Sequence, residues 1–111
     1  MEEQAVITAL AALAQPSRLR VYRHLVVQGH EGATPGQLSE VFGFANATLS
    51  FHLKELTRAE LIAVERSGRH LIYRAQFDRM NALLAYLTQN CCQGSQPCEV
   101  LALPVCNGED D

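Results

Sequence analysis

At 111 residues, 48% of them hydrophobic and 19% charged, the chain can build one core but hardly two. No apolar run approaches the roughly 18–20 residues of a membrane span, and the N-terminus is acidic. A membrane helix and a secretory leader are therefore not expected, and the cytosol, with reduced thiols, is the expected compartment. The net charge of −3 masks an uneven distribution. All nine Lys and Arg fall between Arg18 and Arg79, where only six of the twelve carboxylates occur, so the middle of the chain is basic and its ends acidic. Such a chain can bind nucleic acid, with modest non-specific affinity.

In chain order, the spacing predicts a first helix over Glu2–Ala14, with Val6, Leu10 and Leu13 on one face. Gln15-Pro16-Ser17 breaks it and opens a second helix, Pro16–Gln28, with Leu19, Tyr22, Leu25 and Val26 facing inward. Ser17 and Arg18 at its start could touch a phosphate, although a cap and a solvated charge is the simpler account. Gly29–Ala33 reads as a loop. Thr34-Pro35-Gly36-Gln37 then has the makings of a capping box with proline at the first helical position. The short helix it opens, Pro35–Phe42, is expected to bury Leu38, Val41 and Phe42. Gly43 can close it in a left-handed conformation.

A tight Gly43–Ala45 turn leads to the stretch Asn46–Ile62, where Leu49, Leu53 and Leu56 make an apolar stripe at i, i+4 and i+7. Asn46 suits an N-cap. The opposite side carries Ala47, Phe51, Lys54 and Arg58, flanked by Thr48 and Ser50, while His52 falls on the flank of the stripe. A short helix, a glycine turn and a second helix with a small, hydroxyl-bearing face make a helix-turn-helix, whose second helix must approach base edges closely. Downstream, Ile62–Ser67 and His70–Ala75 read as two strands joined at Gly68-Arg69, a hairpin whose tip holds Arg66, Arg69 and His70 within reach of phosphates. A last helix, about Gln76–Asn90, has Met80, Leu83, Leu84 and Leu87 on its apolar face. The expected architecture is mainly α with a small β-hairpin, a winged helix-turn-helix in the order α-α-α-α-β-β-α. It fills residues 1–90 and leaves 91–111 as a tail. So short a chain would leave the first and last helices poorly covered, and pairing of these helices across a two-fold axis is expected. That symmetry would set two recognition helices one DNA turn apart.

Leu13-Ala14-Gln15-Pro16-Ser17-Arg18-Leu19-Arg20, the run Thr48 to Leu56, and Arg66-Ser67-Gly68-Arg69 with Tyr73 together resemble the ArsR (arsenic repressor) family over about residues 5–90. These are dimeric winged-helix repressors released from DNA by metal or metalloid ions. The resemblance implies that Thr48, Ser50 and His52 lie in the DNA-reading helix and Arg66 and Arg69 in the wing. Asn46, Phe51, Lys54 and His70 complete the candidate DNA-binding set. Phe51 could pack on a thymine methyl. His52 could as readily brace the helix as touch a phosphate.

The chain departs from the family's best-known ion sites. No cysteine precedes residue 91, so the Cys-x-Cys site before the recognition helix is absent, and Gln76–Asn90 has no His and one carboxylate, Asp78. All four cysteines, Cys91, Cys92, Cys98 and Cys106, lie in the last 21 residues. Five residues, Gln93 to Pro97, could fold Cys98 back on Cys91-Cys92, and three thiolates suit a soft ion such as As(III) or Sb(III). The tail resembles an ArsR subgroup with a Cys-Cys-x5-Cys site after the last helix, which implies Cys91, Cys92 and Cys98 as ligands. Methylarsenite, needing two thiolates, is a sub-alternative, and Cys106 has no assigned role.

The expected function is thus a repressor of a metalloid resistance operon, with operator DNA, a second copy and the ion as partners and no permanent cofactor. Rivals are zinc, cadmium or lead held by four thiolates, for which an adjacent pair is awkward. A thiol-redox switch and a winged-helix protein-interaction module without DNA are further alternatives. Catalysis is not expected. No glycine-rich phosphate loop, Ser-His-Asp spacing or carboxylate pair stands out, and no basic residue lies near the cysteines in sequence.

Overall fold

Two prolines and one glycine set the helix boundaries around which the fold is built. In a computed structural model, which describes residues 1–94, the elements run α1 (Glu3–Leu13), α2 (Pro16–Gln28), α3 (Pro35–Phe42), α4 (Asn46–Arg58), β1 (Ile62–Ser67), β2 (His70–Ala75) and α5 (Phe77–Leu87). Pro16 and Pro35 stand in the first turns of α2 and α3, where a missing N–H costs nothing. At α3 the capping box is complete. Gln37 N–H donates to Thr34 Oγ1 at 3.2 Å, and Thr34 N–H donates to Gln37 Oε1 at 2.9 Å. Gly43 ends α3 at φ 72°, a left-handed value that glycine adopts without strain.

The α3–α4 turn differs from expectation in one respect. Asn46 is already helical, the N-cap is Ala45, and no side chain caps α4. The turn is tied instead by Ser39, whose hydroxyl donates to the Phe44 carbonyl at 3.1 Å. At the other end of α4, Glu60 takes φ 64° and Leu61 N–H reaches back to the Leu56 carbonyl at 3.1 Å. This closure turns the chain directly into β1.

β1 and β2 pair antiparallel from Ile62↔Ala75 to Ser67↔His70 across the two-residue Gly68-Arg69 loop. Gly29–Ala33 is more than a loop. Gly29–Glu31 forms one 3-10 turn, and Ala33 bridges to Tyr73 with reciprocal backbone hydrogen bonds of 3.0 and 2.8 Å. The α2–α3 connection thereby lies against the hairpin and fixes its base.

The core gathers Val21 and Leu25 of α2, Leu38 of α3, Leu56 of α4, and Leu61 and Ile62 entering β1, all fully buried. Four leucines or valines expected inside are instead half-exposed: Leu10, Leu19, Val41 and Leu87. In α1 the packed arc is Val6, Ala9 and Ala12, because the alanines let α2 approach closely and turn Ile7 and Leu10 outward. In α2 the packed arc is Val21, Tyr22 and Leu25, from which Leu19 is turned about 100° away. Val41 falls outside the Leu38–Phe42 line of α3, and Leu87 is at the far end of α5, past the buried Leu83.

Candidate nucleic-acid interface

Leu49, Leu53 and Leu56 anchor α4 to the core, so the opposite side of the helix necessarily faces out. Phe51 and Lys54 on that side and Thr48 and Ser50 flanking it are all exposed, as is Asn46 in the first turn. A groove of about 470 Å³ runs between α4 and the hairpin, with Ser50, Lys54, Thr57 and Arg58 on the helical wall and Val64, Leu71 and Tyr73 on the strand wall. Beyond the groove the hairpin tip presents Arg66, Arg69 and His70, all exposed.

The charges on this face fall into two groups. Arg58 is paired with Glu55 at 3.3 Å. Arg74 donates both to Glu65 and to the His30 carbonyl at 2.6 Å, which ties it to the base of the hairpin. Lys54, Arg66 and Arg69 have no ion-pair partner among the described residues. Three unpaired cations spaced along a helix and a hairpin tip are what a phosphate backbone would meet.

His52 does not belong to the exposed set. It is 6% exposed, lodged between the rings of Phe44 and Phe51, and its Nδ1 has no hydrogen-bond partner among the described residues. Burial, aided by the nearby Arg18 charge, holds its pKa below the ordinary histidine value. Enclosed by these rings, the imidazole packs against the α3–α4 turn and not among the exposed side chains. Phe51, by contrast, is 54% exposed, as its place opposite the leucine stripe requires. Sequence reasoning missed Thr57 and Tyr73 as groove walls and gave Arg58 no role there. Thr57 and Arg58 continue the row of Lys54 at i+3 and i+4, a signal that was available.

At the end of α5, Cys91 N–H donates to the Thr88 carbonyl at 3.0 Å, and Asn90, Cys92 and Gln93 adopt left-handed φ values of 58°, 55° and 58°. The chain thus turns sharply at the cysteine pair. Cys92 is an exposed free thiol, whereas Cys91 is disulfide-bonded. Cys98, the third ligand of the expected three-thiolate site, lies outside the described residues, as does Cys106. Among the described residues no group of three His, Cys, Asp or Glu side chains could hold a metal ion.

Residues 13–65 match the family of helix-turn-helix domains. The solution structure of the homodimeric winged helix-turn-helix DNA-binding domain of a possible ArsR-family regulator from Mycobacterium bovis superposes with a TM-score of 0.63. It is 23% identical and covers 83% of this chain and 85% of its own. The chain folds as a winged helix-turn-helix. This winged helix is also similar to the HTH-type transcriptional regulator YgaV of Escherichia coli, 28% identical over 90 residues, which cover 81% of the chain and 88% of the relative. The crystal structure of a possible transcriptional regulator for arsenical resistance is 29% identical, with a TM-score of 0.61 over 71% of this chain and 79% of that one. The proteins it resembles are transcriptional regulators or possible ones. No helix among the described residues is long and apolar enough to cross a membrane.

Proposed function

We propose that this winged helix is a homodimeric repressor of the ArsR family that binds operator DNA through α4 and the hairpin tip. The observation that carries the reading is the continuity of one exposed face. Ser50 and Lys54 of α4 line the groove against the hairpin, Asn46 and Thr48 are exposed on the same helix, and beyond the groove the tip exposes Arg66 and Arg69; Lys54, Arg66 and Arg69 have no ion-pair partner among the described residues. Short polar side chains on the helix can approach base edges, and the wing cations can hold phosphates on either side. Dimerisation would proceed through α1 and α5, whose Ile7, Leu10 and Leu87 are half-exposed apolar residues. Hydroxyl-radical footprinting of the DNA upstream of the protein's own coding sequence tests this. Two protected half-sites one helical turn apart are expected; no protection at low salt would contradict the reading and favour a protein-interaction module.

We further propose that the repressor is released by As(III) or Sb(III) bound to Cys91, Cys92 and Cys98 in the reduced protein, controlling a metalloid resistance operon. Support comes from the adjacent cysteine pair at a sharp turn ending α5, from the soft character of thiolate ligands, and from likeness to the arsenical-resistance regulator. Ligation there would pull on α5, and through the dimer interface alter the spacing of the two α4 helices. Coupling of this kind is typically about 1–3 kcal/mol, or 5–150-fold in affinity. A thiol-redox switch is the second reading, favoured by one observation: Cys92 is an exposed free thiol. Peroxide releasing the protein from DNA, with arsenite inert, would decide for it.

A further inference from the structure

Aromatic rings form a continuous path across the DNA-reading unit. His24 of α2 meets Phe42 edge-on, with centroids 5.7 Å apart, and Phe42 stacks on Phe44 at 5.5 Å. Phe44 meets His52 edge-on at 5.6 Å, and His52 lies 5.9 Å from Phe51. Over the Phe51 ring sits the Arg18 guanidinium, its carbon 5.9 Å from the centroid. Arg18, like His24, belongs to α2. The path therefore leaves α2 at its middle, crosses the α3–α4 turn, and returns to α2 near its N-terminus.

Arg18 is also bound to a third helix segment. Its Nε donates to the Ala12 carbonyl in the last turn of α1 at 2.8 Å, and its amide donates to Gln15 Oε1 at 2.8 Å. A surface groove of about 320 Å³ has Ile7, Thr8 and Ala11 of α1 on one wall, Glu55 and Arg58 of α4 on the other, and Arg18 between them. One side chain thus joins the end of α1 to the outward face of α4.

We infer that Arg18 is a positioning residue for the recognition helix. It holds Phe51 against His52, fixes the outward pose of α4, and transmits displacements of α1 to the DNA-reading face. The inference rests on the proposed DNA-reading role of α4. It differs from a direct phosphate contact, because here the guanidinium is committed to the Ala12 carbonyl and the Phe51 ring. Half-exposed aromatic side chains are otherwise free to change rotamer, and a cation over the ring removes that freedom.

The test is a double-mutant cycle of Arg18→Gln and Phe51→Leu in the full chain. The probe is a labelled duplex of the DNA immediately upstream of the protein's own coding sequence, titrated over a range of salt. Each single variant is expected to weaken binding about two- to fivefold. The double variant should be no weaker than the worse single, and the slope of log K against log salt should be unchanged. In parallel, backbone amides of residues 47–51 should exchange with deuterium faster in Arg18→Gln than in wild type. Additive losses, a slope reduced by about one, or unchanged exchange would overturn the positioning role. Should wild type bind no DNA, the exchange arm separates the two readings. Faster exchange would retain the clamp on α4 and overturn only the regulator reading; unchanged exchange would overturn both. If Arg18→Gln does not fold, Arg18→Lys, which keeps a cation but cannot donate from Nε, takes its place in the same cycle.

Discussion

Gly32 and Tyr73 meet so closely that no side chain fits between them. A β-carbon built on Gly32 would stand 2.5 Å from the Tyr73 carbonyl oxygen, and the residue's φ of 62° is itself unfavourable for any L side chain. The contact seats Ala33 on β2 and so fixes the base of the wing relative to α3. Gly32→Ala is expected to destabilise the protein by about 3 kcal/mol, measured by urea unfolding. Gly36→Ala, in a helix where nothing crowds the added methyl, should be neutral or slightly stabilising.

The reciprocal bonds of Thr34 and Gln37 hold the first turn of α3, which supports the recognition helix. Thr34→Ala should cost about 1 kcal/mol of unfolding free energy. Thr34→Ser should restore most of it, since the acceptor oxygen is kept.

How much of this was legible in the sequence differs from one residue type to another. Proline, glycine and capping residues act through local geometry, so α2, α3, β1 and β2 begin and end where Pro16, Thr34, Gly43 and Gly68-Arg69 predict. Leu10 and Leu19 were misplaced because hydrophobicity alone does not say which arc packs. The alanine face of α1 wins by closeness of approach, a property of the partner helix as much as of the residue. His52 was ambiguous on the helical wheel; its burial owes much to the Phe44 ring, which reaches it from outside the helix. Of the candidate interface, the exposure of Thr48, Ser50, Phe51 and Lys54 followed from the leucine stripe. The pairing of Arg74 with Glu65, which removes one cation from the free set, depends on strand register and could not be read beforehand.

His52 makes stability depend on pH in a defined direction. Its pKa is lowered in the folded state, so the unfolded chain binds the proton more readily. Stability should be constant above the ordinary histidine value of about 6.5, fall as pH drops below it, and level off once the folded-state pKa is passed. Urea midpoints between pH 5 and 8 check this. His52→Gln should flatten that part of the profile, and an unchanged profile would show that another group is responsible.

The wing cations should contribute to DNA affinity without reading sequence. Arg66→Ala and Arg69→Ala are each expected to reduce the slope of log K against log salt by about one, and to weaken cognate and non-cognate duplexes alike. Ser50→Ala, on the helical wall, should narrow the difference between cognate and non-cognate DNA while leaving the slope as it was.

Leu10→Glu and Leu87→Glu place charges on half-exposed apolar positions of α1 and α5. Both should leave helical content intact by circular dichroism and shift the protein to monomer by sedimentation, with loss of DNA binding. A dimer that persists in both variants would move the interface elsewhere.

The most direct test of the proposed regulation is fluorescence anisotropy of the upstream DNA bound to fully reduced protein, titrated in turn with arsenite, zinc, cadmium and peroxide. Release by arsenite alone, abolished in Cys92→Ser and Cys98→Ser but retained in Cys106→Ser, is the predicted result. Arsenite release that persists undiminished in Cys98→Ser would contradict the three-thiolate account.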